Sequence, residues 1–258
     1  MEIEISKKII LNLLDTFLDA GKMSLELREK GLKKELKMDN TPVTNADIEV
    51  NTILTNKIKK ITPDIPIVSE ESSLNKKNFQ LDTFWLIDPI DGTNDYINNK
   101  DEFTLNAGLI INKIPQAGII YAPAKKRLFY SYGKNFSFEI VNKKEVKLIC
   151  KKTSNKNAIR AVSYSDKLKP EIAELHKKIG VTEFIKMKSS IKFCVIATGE
   201  YDLYVAEPRA NEWDIAAGHA ILKNAGGVIT DFNGNEIFYG KKNFKNTSLI
   251  LKRNFNLK

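Results

Sequence analysis

Short apolar segments separated by turn residues fill the middle of the sequence. They lie at residues 84–87, 103–111, 117–121, 128–132 and 136–141. Runs of this length, bounded by glycine, proline, asparagine and aspartate, are typical of β-strands. We therefore expect a strand-rich middle.

After about residue 145 the pattern changes to an alternation of strands and helices. Candidate strands lie at 158–163, 182–186, 202–206, 227–230 and 247–251, and candidate helices at 167–179, 190–199 and 213–225. This alternation is typical of an α/β unit. We therefore predict an α+β N-terminal half over 1–145 and an α/β C-terminal half over 146–258.

Two amphipathic helices are predicted before the strand-rich middle. Ile9, Leu13 and Phe17 follow a period close to 3.6 residues, which predicts a helix over residues 3–20 that ends at Ala20-Gly21. A second helix is predicted over 44–60 because its apolar positions alternate with charged ones.

The composition narrows the class of protein. The 258 residues, 42% of them hydrophobic, suffice for a buried core, and the formal net charge is +9. Because the lysines are scattered, we expect no nucleic acid polymer as partner and at most weak peripheral binding to the inner face of the cell membrane. Cys150 and Cys194 are too few for a disulfide framework, and no apolar run approaches the roughly 20 residues that span a bilayer. We expect a cytoplasmic protein.

Several catalytic motifs are missing from the sequence. His176 and His219 are its only histidines, and it has no HExxH, GxSxG, GxxxxGK[ST] or GxGxxG. This argues against zinc hydrolysis, a serine-hydrolase elbow, a P-loop and a Rossmann fingerprint. We expect His176, in a stretch rich in Lys and Glu, to be solvated.

The sequence WLIDPIDGT carries the strongest chemical signal. An apolar strand runs directly into Asp88 and Asp91, with Pro89 between them and Gly92 after them. Proline fixes one backbone angle and glycine permits a tight turn, so both carboxylates and the Ile90 carbonyl can face one point. Mg²⁺ prefers such oxygen ligands. A purely structural turn, with acids that cap a helix, remains an alternative.

Two further acidic segments could add ligands. Glu70 and Glu71 follow an apolar run in VSEES, and Asp214 lies in the first turn of a predicted helix. Each has an ordinary explanation, as a surface acid or as a favourable partner of the helix dipole. Thr93 could begin a short helix whose free N–H groups suit a phosphate.

Together these segments resemble the inositol monophosphatase superfamily of metal-dependent, lithium-sensitive phosphatases. The resemblance rests on WLIDPIDGTNDY, with VSEES upstream and WDIAAGHAILKNAGG downstream. DNTPVTNAD, DEFTLNAGLI, IYAPAKKRLFY and SSIKFCVIATGEYDLY are most similar to CysQ-type 3'(2'),5'-bisphosphate nucleotidases. The resemblance implies a layered αβαβα sandwich with the site between its halves.

The resemblance also implies a set of metal ligands. Glu70, Asp88 and the Ile90 carbonyl would hold one Mg²⁺, while Asp88, Asp91 and Asp214 would hold a second. A third ion and inhibition by Li⁺ belong to the same expectation. Glu70 would also take part in catalysis, and Glu70, Ile90, Asp91 and Asp214 would face the substrate.

Five residues are implied to act on the substrate or on the attacking water. Gly92 and Thr93 would contact the phosphate, Asp47 would orient Thr93 and the water, and Ser190 and Lys192 match a substrate-binding segment of the nucleotidases. The chain departs from the usual nucleotidase pattern at three positions, where it carries Asn94, Asp95 and Lys188.

The implied reaction is Mg²⁺-dependent hydrolysis of the 3'-phosphate of adenosine 3',5'-bisphosphate, a by-product of sulfate activation, to AMP and phosphate. The partner is then a small phosphorylated molecule. An inositol monophosphatase or a broad sugar phosphatase is the alternative, because Glu207 matches an acid with which inositol-selective relatives bind a sugar hydroxyl. A basic binding protein that merely keeps the fold is a further alternative.

Overall fold

The computed structural model describes residues 1–37, 40–75, 81–150 and 158–253. Within them the helices are α1 (Ile3–Lys30), α2 (Asn45–Ile61), α3 (Thr93–Ile97), α4 (Pro170–Ile179), α5 (Ile191–Ala197) and α6 (Glu212–Asn224). The strands are β1 (Lys34–Leu36), β2 (Pro42–Thr44), β3 (Ile67–Ser69), β4 (Phe84–Asp91), β5 (Thr104–Ile111), β6 (Ile114–Ala122), β7 (Arg127–Gly133), β8 (Phe136–Val141), β9 (Lys144–Lys147), β10 (Ile159–Ser163), β11 (Val181–Lys186), β12 (Leu203–Ala206), β13 (Val228–Thr230) and β14 (Leu249–Lys252).

The larger sheet has the strand order β3-β4-β5-β6-β7-β8-β9. Strands β3 and β4 are parallel, and every later pair is antiparallel. Helices α1 and α2 cover one face, where they bury Trp85 and Ile87, while Phe84 and Leu86 of the same strand pack into the core on the other face. This alternation is the two-residue period of a strand that is covered on both faces.

A bulge in β4 sets the direction of the two acids in DPID. Asp88 and Asp91 are three positions apart, but their partners on β5 are only two apart. Residues three apart on a regular strand face opposite ways, whereas one extra residue brings both to the same face. Pro89, which has no N–H to donate, lies in the bulge. Ile87 and Ile90 accordingly enter the core beneath α1 and α2.

The smaller sheet has the order β11-β10-β12-β14-β13, with β10 parallel to both of its neighbours. Helices α5 and α6 lie between the two sheets, and α4 packs on the outer face of the smaller one. The layers are therefore helix, sheet, helix, sheet, helix, which confirms the predicted αβαβα sandwich. The boundary predicted near residue 145 falls inside β9 of the larger sheet, and the division into two halves stays a prediction.

Helix α6 lies against the larger sheet with almost no side chain between them. A Cβ atom on Gly108 of β5 would lie 2.7 Å from the Cβ of Ala216, and one on Gly118 of β6 would lie 2.6 Å from the carbonyl oxygen of Ala217. Both distances are shorter than real contacts permit, so this approach requires glycine at both positions. The backbone of α6 is thereby fixed relative to β5 and β6.

The structure contradicts two of the local predictions. Helix α1 does not end at Ala20-Gly21 but continues to Lys30. Gly21 serves the packing of the helix instead, because a Cβ atom built there would lie 2.2 Å from the ring of Tyr121. His176 is not solvated: it is 5% exposed and contacts the ring of Phe184 edge-on, and burial lowers its pKa. None of the helices in the described ranges is long and apolar enough to cross a membrane.

Candidate active site

The predicted site residues meet in one cleft of about 360 Å³ between the two sheets. Both halves of the chain contribute to its lining. Of the predicted residues, those that line it are Glu70, Asp88, Ile90, Asp91, Gly92, Thr93, Ser190, Lys192 and Asp214. Asp47 lies behind Thr93 and contacts it directly.

The acids converge because several chain ends meet at one edge of the larger sheet. Strands β3 and β4 run parallel, so Glu70, which directly follows β3, lies beside Asp88 and Asp91 near the end of β4. Asp214 comes from the first turn of α6, which packs on the same sheet. Carboxylate oxygens of Glu70, Asp88 and Asp214 all lie within 4.8 Å of one another.

Burial and mutual repulsion raise the pKa values of these acids. Burial comes first for Asp88, whose pKa lies well above its usual range, and the charges of Glu70, Asp91 and Asp214 add to it. The same causes raise the pKa of Asp91 and raise that of Asp214 to about 8. Oδ1 of Asp88 is buried and has no hydrogen-bond partner among the described residues. A bound cation would relieve both the repulsion and this unpaired oxygen.

Asp47 and Thr93 form a second group of contacting residues at the site. Asp47 is the third residue of α2 and caps that helix, because its Oδ2 accepts hydrogen bonds from the Thr44 backbone N–H (2.7 Å) and hydroxyl (2.6 Å). Its Oδ1 is 3.3 Å from the Thr93 hydroxyl, which also lies 3.0 Å from the Ile90 carbonyl oxygen. The capping contacts fix Asp47, and Asp47 in turn positions Thr93.

Gly92 makes the tight turn between β4 and α3. Its φ is +98°, and a Cβ there would lie 2.8 Å from the Glu102 carbonyl oxygen, so no other residue fits without strain. The turn directs the backbone of Gly92 and Thr93 toward the cleft, directly after the Asp91 carboxylate. The local sequence DGT therefore determines the backbone conformation at this wall of the cleft.

Ser190 and Lys192 approach the acids from the C-terminal half. The Ser190 hydroxyl lies 2.6 Å from Oδ2 of Asp91 and also contacts the carbonyl oxygen of Asp214. Lys192 is buried, donates its Nζ to the Ser189 carbonyl and faces Asp91. Burial lowers the pKa of Lys192 to about 8.

Sequence reasoning missed Lys37 and treated Glu71 as a surface acid. Nζ of Lys37 lies 2.8 Å from Glu70 and 2.7 Å from Glu71, and the side chain of Glu71 is only 5% exposed. Burial raises the pKa of Glu71 to about 7, while the two carboxylates raise that of Lys37 against the opposing effect of burial. No local pattern marks Lys37, because it is one lysine among many.

One wall of the cleft carries a basic and aromatic cluster of Tyr164, Tyr204 and Arg209. The guanidinium of Arg209 lies 4.0 Å from the centre of the Tyr164 ring. The Tyr164 hydroxyl donates to Glu207 (2.7 Å), which also pairs with Lys169 (2.8 Å). Glu207 is therefore tied to protein partners beside the cleft.

Comparisons with known proteins agree with this geometry. The pattern described as "Inositol monophosphatase family" matches residues 9–256. The chain belongs to the inositol monophosphatase family. It is 33% identical over 214 residues to the 3'(2'),5'-bisphosphate nucleotidase CysQ of Salmonella typhimurium, covering 81% of this chain and 84% of the relative.

Two further relatives extend the comparison within the inositol monophosphatase family. Identity is 35% over 224 residues to CysQ of Buchnera aphidicola, covering 84% of this chain and 81% of the relative. The crystal structure of CysQ from Bacteroides thetaiotaomicron superposes with a TM-score of 0.76 at 29% identity, covering 97% of this chain and 98% of that one.

The acids of the cleft fit the metal that this family requires. The family is generally Mg²⁺-dependent, and Mg²⁺ binds oxygen ligands, chiefly carboxylates. Glu70, Asp88 and Asp214 supply such a cluster, and Asp88 has a buried oxygen without a partner. A cluster of buried acids with raised pKa values is the arrangement that a cation stabilises.

Proposed function

We propose that this protein is a Mg²⁺-dependent phosphatase that removes the 3'-phosphate of adenosine 3',5'-bisphosphate. The observation that carries the proposal is the cluster of Glu70, Asp88 and Asp214 beside Asp91, in a cleft that also has a basic wall. A phosphate can approach such acids only when cations are present, and a second anionic group is attracted to the basic wall.

The metal ligands follow from the same cluster. Glu70, Asp88 and the Ile90 carbonyl would hold one Mg²⁺, and Asp88, Asp91 and Asp214 a second. When bound, Mg²⁺ supplies charge stabilisation for the phosphoryl group and for the departing oxygen. Calorimetric titration with Mg²⁺ gives the number of ions, and the same titration in the presence of Li⁺ tests whether Li⁺ competes.

Asp47 and Thr93 would position the attacking water. The Thr93 hydroxyl has one proton to donate, and either Oδ1 of Asp47 or the Ile90 carbonyl can accept it. With that proton engaged, the lone pairs of Oγ1 can accept a hydrogen bond from water and aim it at the phosphorus. No covalent phosphoenzyme is required, because the water itself is the nucleophile.

The nucleotide preference is supported by the relatives and by the basic wall. The relatives that share 31–35% identity with this chain are named bisphosphate nucleotidases. Lys192 and Arg209 line the cleft and provide positive charge within it. An inositol or sugar phosphatase stays the alternative. Tyr164 and Lys169 both contact Oε1 of Glu207, and its Oε2 is buried without a hydrogen-bond partner among the described residues.

Side-by-side measurement of phosphate release separates these functions. The purified protein, with Mg²⁺, is given adenosine 3',5'-bisphosphate or inositol 1-phosphate at equal concentrations. We expect a higher kcat/KM for the bisphosphate. A preference for inositol 1-phosphate would overturn the proposal in favour of the alternative, and no turnover of either substrate with Mg²⁺ or Mn²⁺ would favour a binding protein.

A further inference from the structure

Both acidic and basic side chains line the cleft. The acids described above crowd at the end of β4, whereas three basic side chains, Lys188, Lys192 and Arg209, also line the cleft. A substrate with two anionic groups can place one group at the acids and their cations. Its second group requires positive charge elsewhere in the cleft.

The three basic side chains differ in their protein partners. Lys192 is buried, and its ammonium donates a hydrogen bond to the Ser189 carbonyl. Arg209 is exposed and stacks on the ring of Tyr164. The side chain of Lys188 is 37% exposed, and its ammonium contacts Asp95 at 3.1 Å. Lys188 therefore combines a lining position with a partly exposed side chain that holds its ammonium beside the α3 end of the cleft.

The backbone at Lys188 is anchored by several hydrogen bonds. The Lys188 N–H donates to Oε2 of Glu102 (3.1 Å), and the preceding Met187 N–H donates to the Ser163 carbonyl (2.7 Å). On the other side, Ser190 is bonded to Asp91. A fixed backbone with a flexible four-carbon side chain lets the ammonium move without rearranging the loop.

Asp95 does not depend on Lys188 alone for a cation. Its carboxylate is only 4% exposed, so losing every positive partner would be costly. Lys100 also lies 3.4 Å from the same Oδ1. When Lys188 turns toward a ligand, Lys100 continues to neutralise Asp95, and the exchange costs little.

We propose that Lys188 is a specificity residue that binds the second anionic group of the substrate. Its ammonium leaves Asp95 and binds the phosphate that is not hydrolysed. Lys188 therefore favours a nucleoside bisphosphate over a monophosphate as the substrate. The inference rests on the proposed function, since it assigns the second phosphate of that substrate to a residue of the cleft.

Lys188→Met tests the inference, with Lys100→Met as the matched control. Both variants remove one ammonium from Asp95, but only Lys188 lines the catalytic cleft. For each protein, kcat/KM is measured on adenosine 3',5'-bisphosphate and on adenosine 3'-monophosphate, which lacks the 5'-phosphate. AMP binding is measured by calorimetry.

For Lys188→Met we expect about a 10- to 100-fold loss in kcat/KM on the bisphosphate, mostly through KM, and a similar loss in AMP affinity. The loss on the monophosphate should be no more than about threefold, since no charged contact is removed there. Lys100→Met should keep the wild-type ratio between the two substrates. Lys188→Arg should recover part of the preference because it restores the positive charge.

Equal losses of kcat/KM on both substrates would show that Lys188 only supports the loop. No loss on either substrate would show that Lys188 does not contact the second phosphate. Either result overturns the inference while the wild-type protein still hydrolyses the bisphosphate. A wild-type protein that hydrolyses neither adenosine substrate would instead overturn the proposed function, and the inference with it.

Discussion

Two acids on the first turn of α6 have opposite surroundings. Glu212 is fully buried, and its carboxylate accepts hydrogen bonds from the backbone N–H groups of Gly240 (2.8 Å) and Lys241 (2.9 Å). The Lys241 ammonium adds an ion pair at 2.7 Å. This carboxylate has the donors that a buried charge requires, so it holds the loop at residues 240–241 onto the helix.

Asp214, two residues later, has donors on one side only. Its Oδ2 accepts the Asn211 N–H at 2.7 Å, which caps the helix, but its other neighbours include Glu70 and Asp91. The difference teaches how to distinguish a structural acid from a ligand. A buried carboxylate surrounded by N–H groups is complete without a ligand, whereas one that faces other carboxylates requires a cation.

The largest effect that this comparison predicts belongs to Asp88→Asn. The change is nearly isosteric but removes a charge from the cluster, so we expect kcat to fall on the order of 10³-fold or more. The free energy of unfolding without metal should not fall, because the repulsion of residue 88 by Glu70, Asp91 and Asp214 is removed. Phosphate release and urea unfolding in EDTA measure the two effects. A folded variant with near wild-type turnover would refute the ligand assignment.

Magnesium should stabilise the folded protein through the same acids. At a concentration of 100 times Kd we expect about 2.7 kcal/mol of added stability. The gain should be much smaller for Asp88→Asn and unchanged for Glu212→Gln. Urea unfolding with and without Mg²⁺ provides the measurement, and equal gains in wild type and Asp88→Asn would place the ion elsewhere.

Glu212→Gln should destabilise the protein whether or not Mg²⁺ is present. An amide keeps one acceptor oxygen but cannot satisfy all three donors around it, so we expect a loss of about 1–3 kcal/mol in the free energy of unfolding. The exposed Glu174→Gln controls for the loss of one negative charge. If Mg²⁺ fully restored the stability of Glu212→Gln, Glu212 would belong with the ligands rather than with the structural acids.

Stability should also depend on pH in the metal-free protein. The folded pKa of Asp214 is about 8, above its unfolded value, and those of Asp88 and Asp91 are also raised. Between about pH 4 and pH 8 the folded state therefore binds more protons, and the free energy of unfolding falls as the pH rises, by up to about 1.4 kcal/mol per pH unit for each proton. Saturating Mg²⁺ should reduce the slope, because the three acids would then stay ionised. Urea unfolding in EDTA from pH 5 to pH 8 tests this, and a flat profile would contradict it.

The fold and the acid cluster could be predicted because their signals are local. Proline and glycine in DPIDG specify a bulge and a turn within a few residues, so the direction of Asp88 and Asp91 is set by the segment itself. The strands of the larger sheet are likewise visible as short apolar runs within single segments. The roles of these acids as ligands stay predictions that the variants above examine.

The features that sequence reasoning missed depend on distant contacts. Lys37 pairs with acids that lie 33 and 34 residues away, and Lys188 with Asp95 across 93 residues. His176 lies on a charged helix, yet Phe184 of the neighbouring strand covers it. Gly21 has the appearance of a helix terminator, but it is the point where a tyrosine ring crosses α1. Tertiary packing overrides local preference in each case.

The close approach of α6 to β5 and β6 has a consequence for how this protein can diverge. Ala216 and Ala217 touch the sheet backbone at Gly108 and Gly118, and Asp214 lies one half-turn before them. A bulkier residue at any of these four positions would push the start of the helix outward and widen the spacing of the acids. Sequence change at four positions outside the lining of the cleft can therefore alter the geometry of the acids within it.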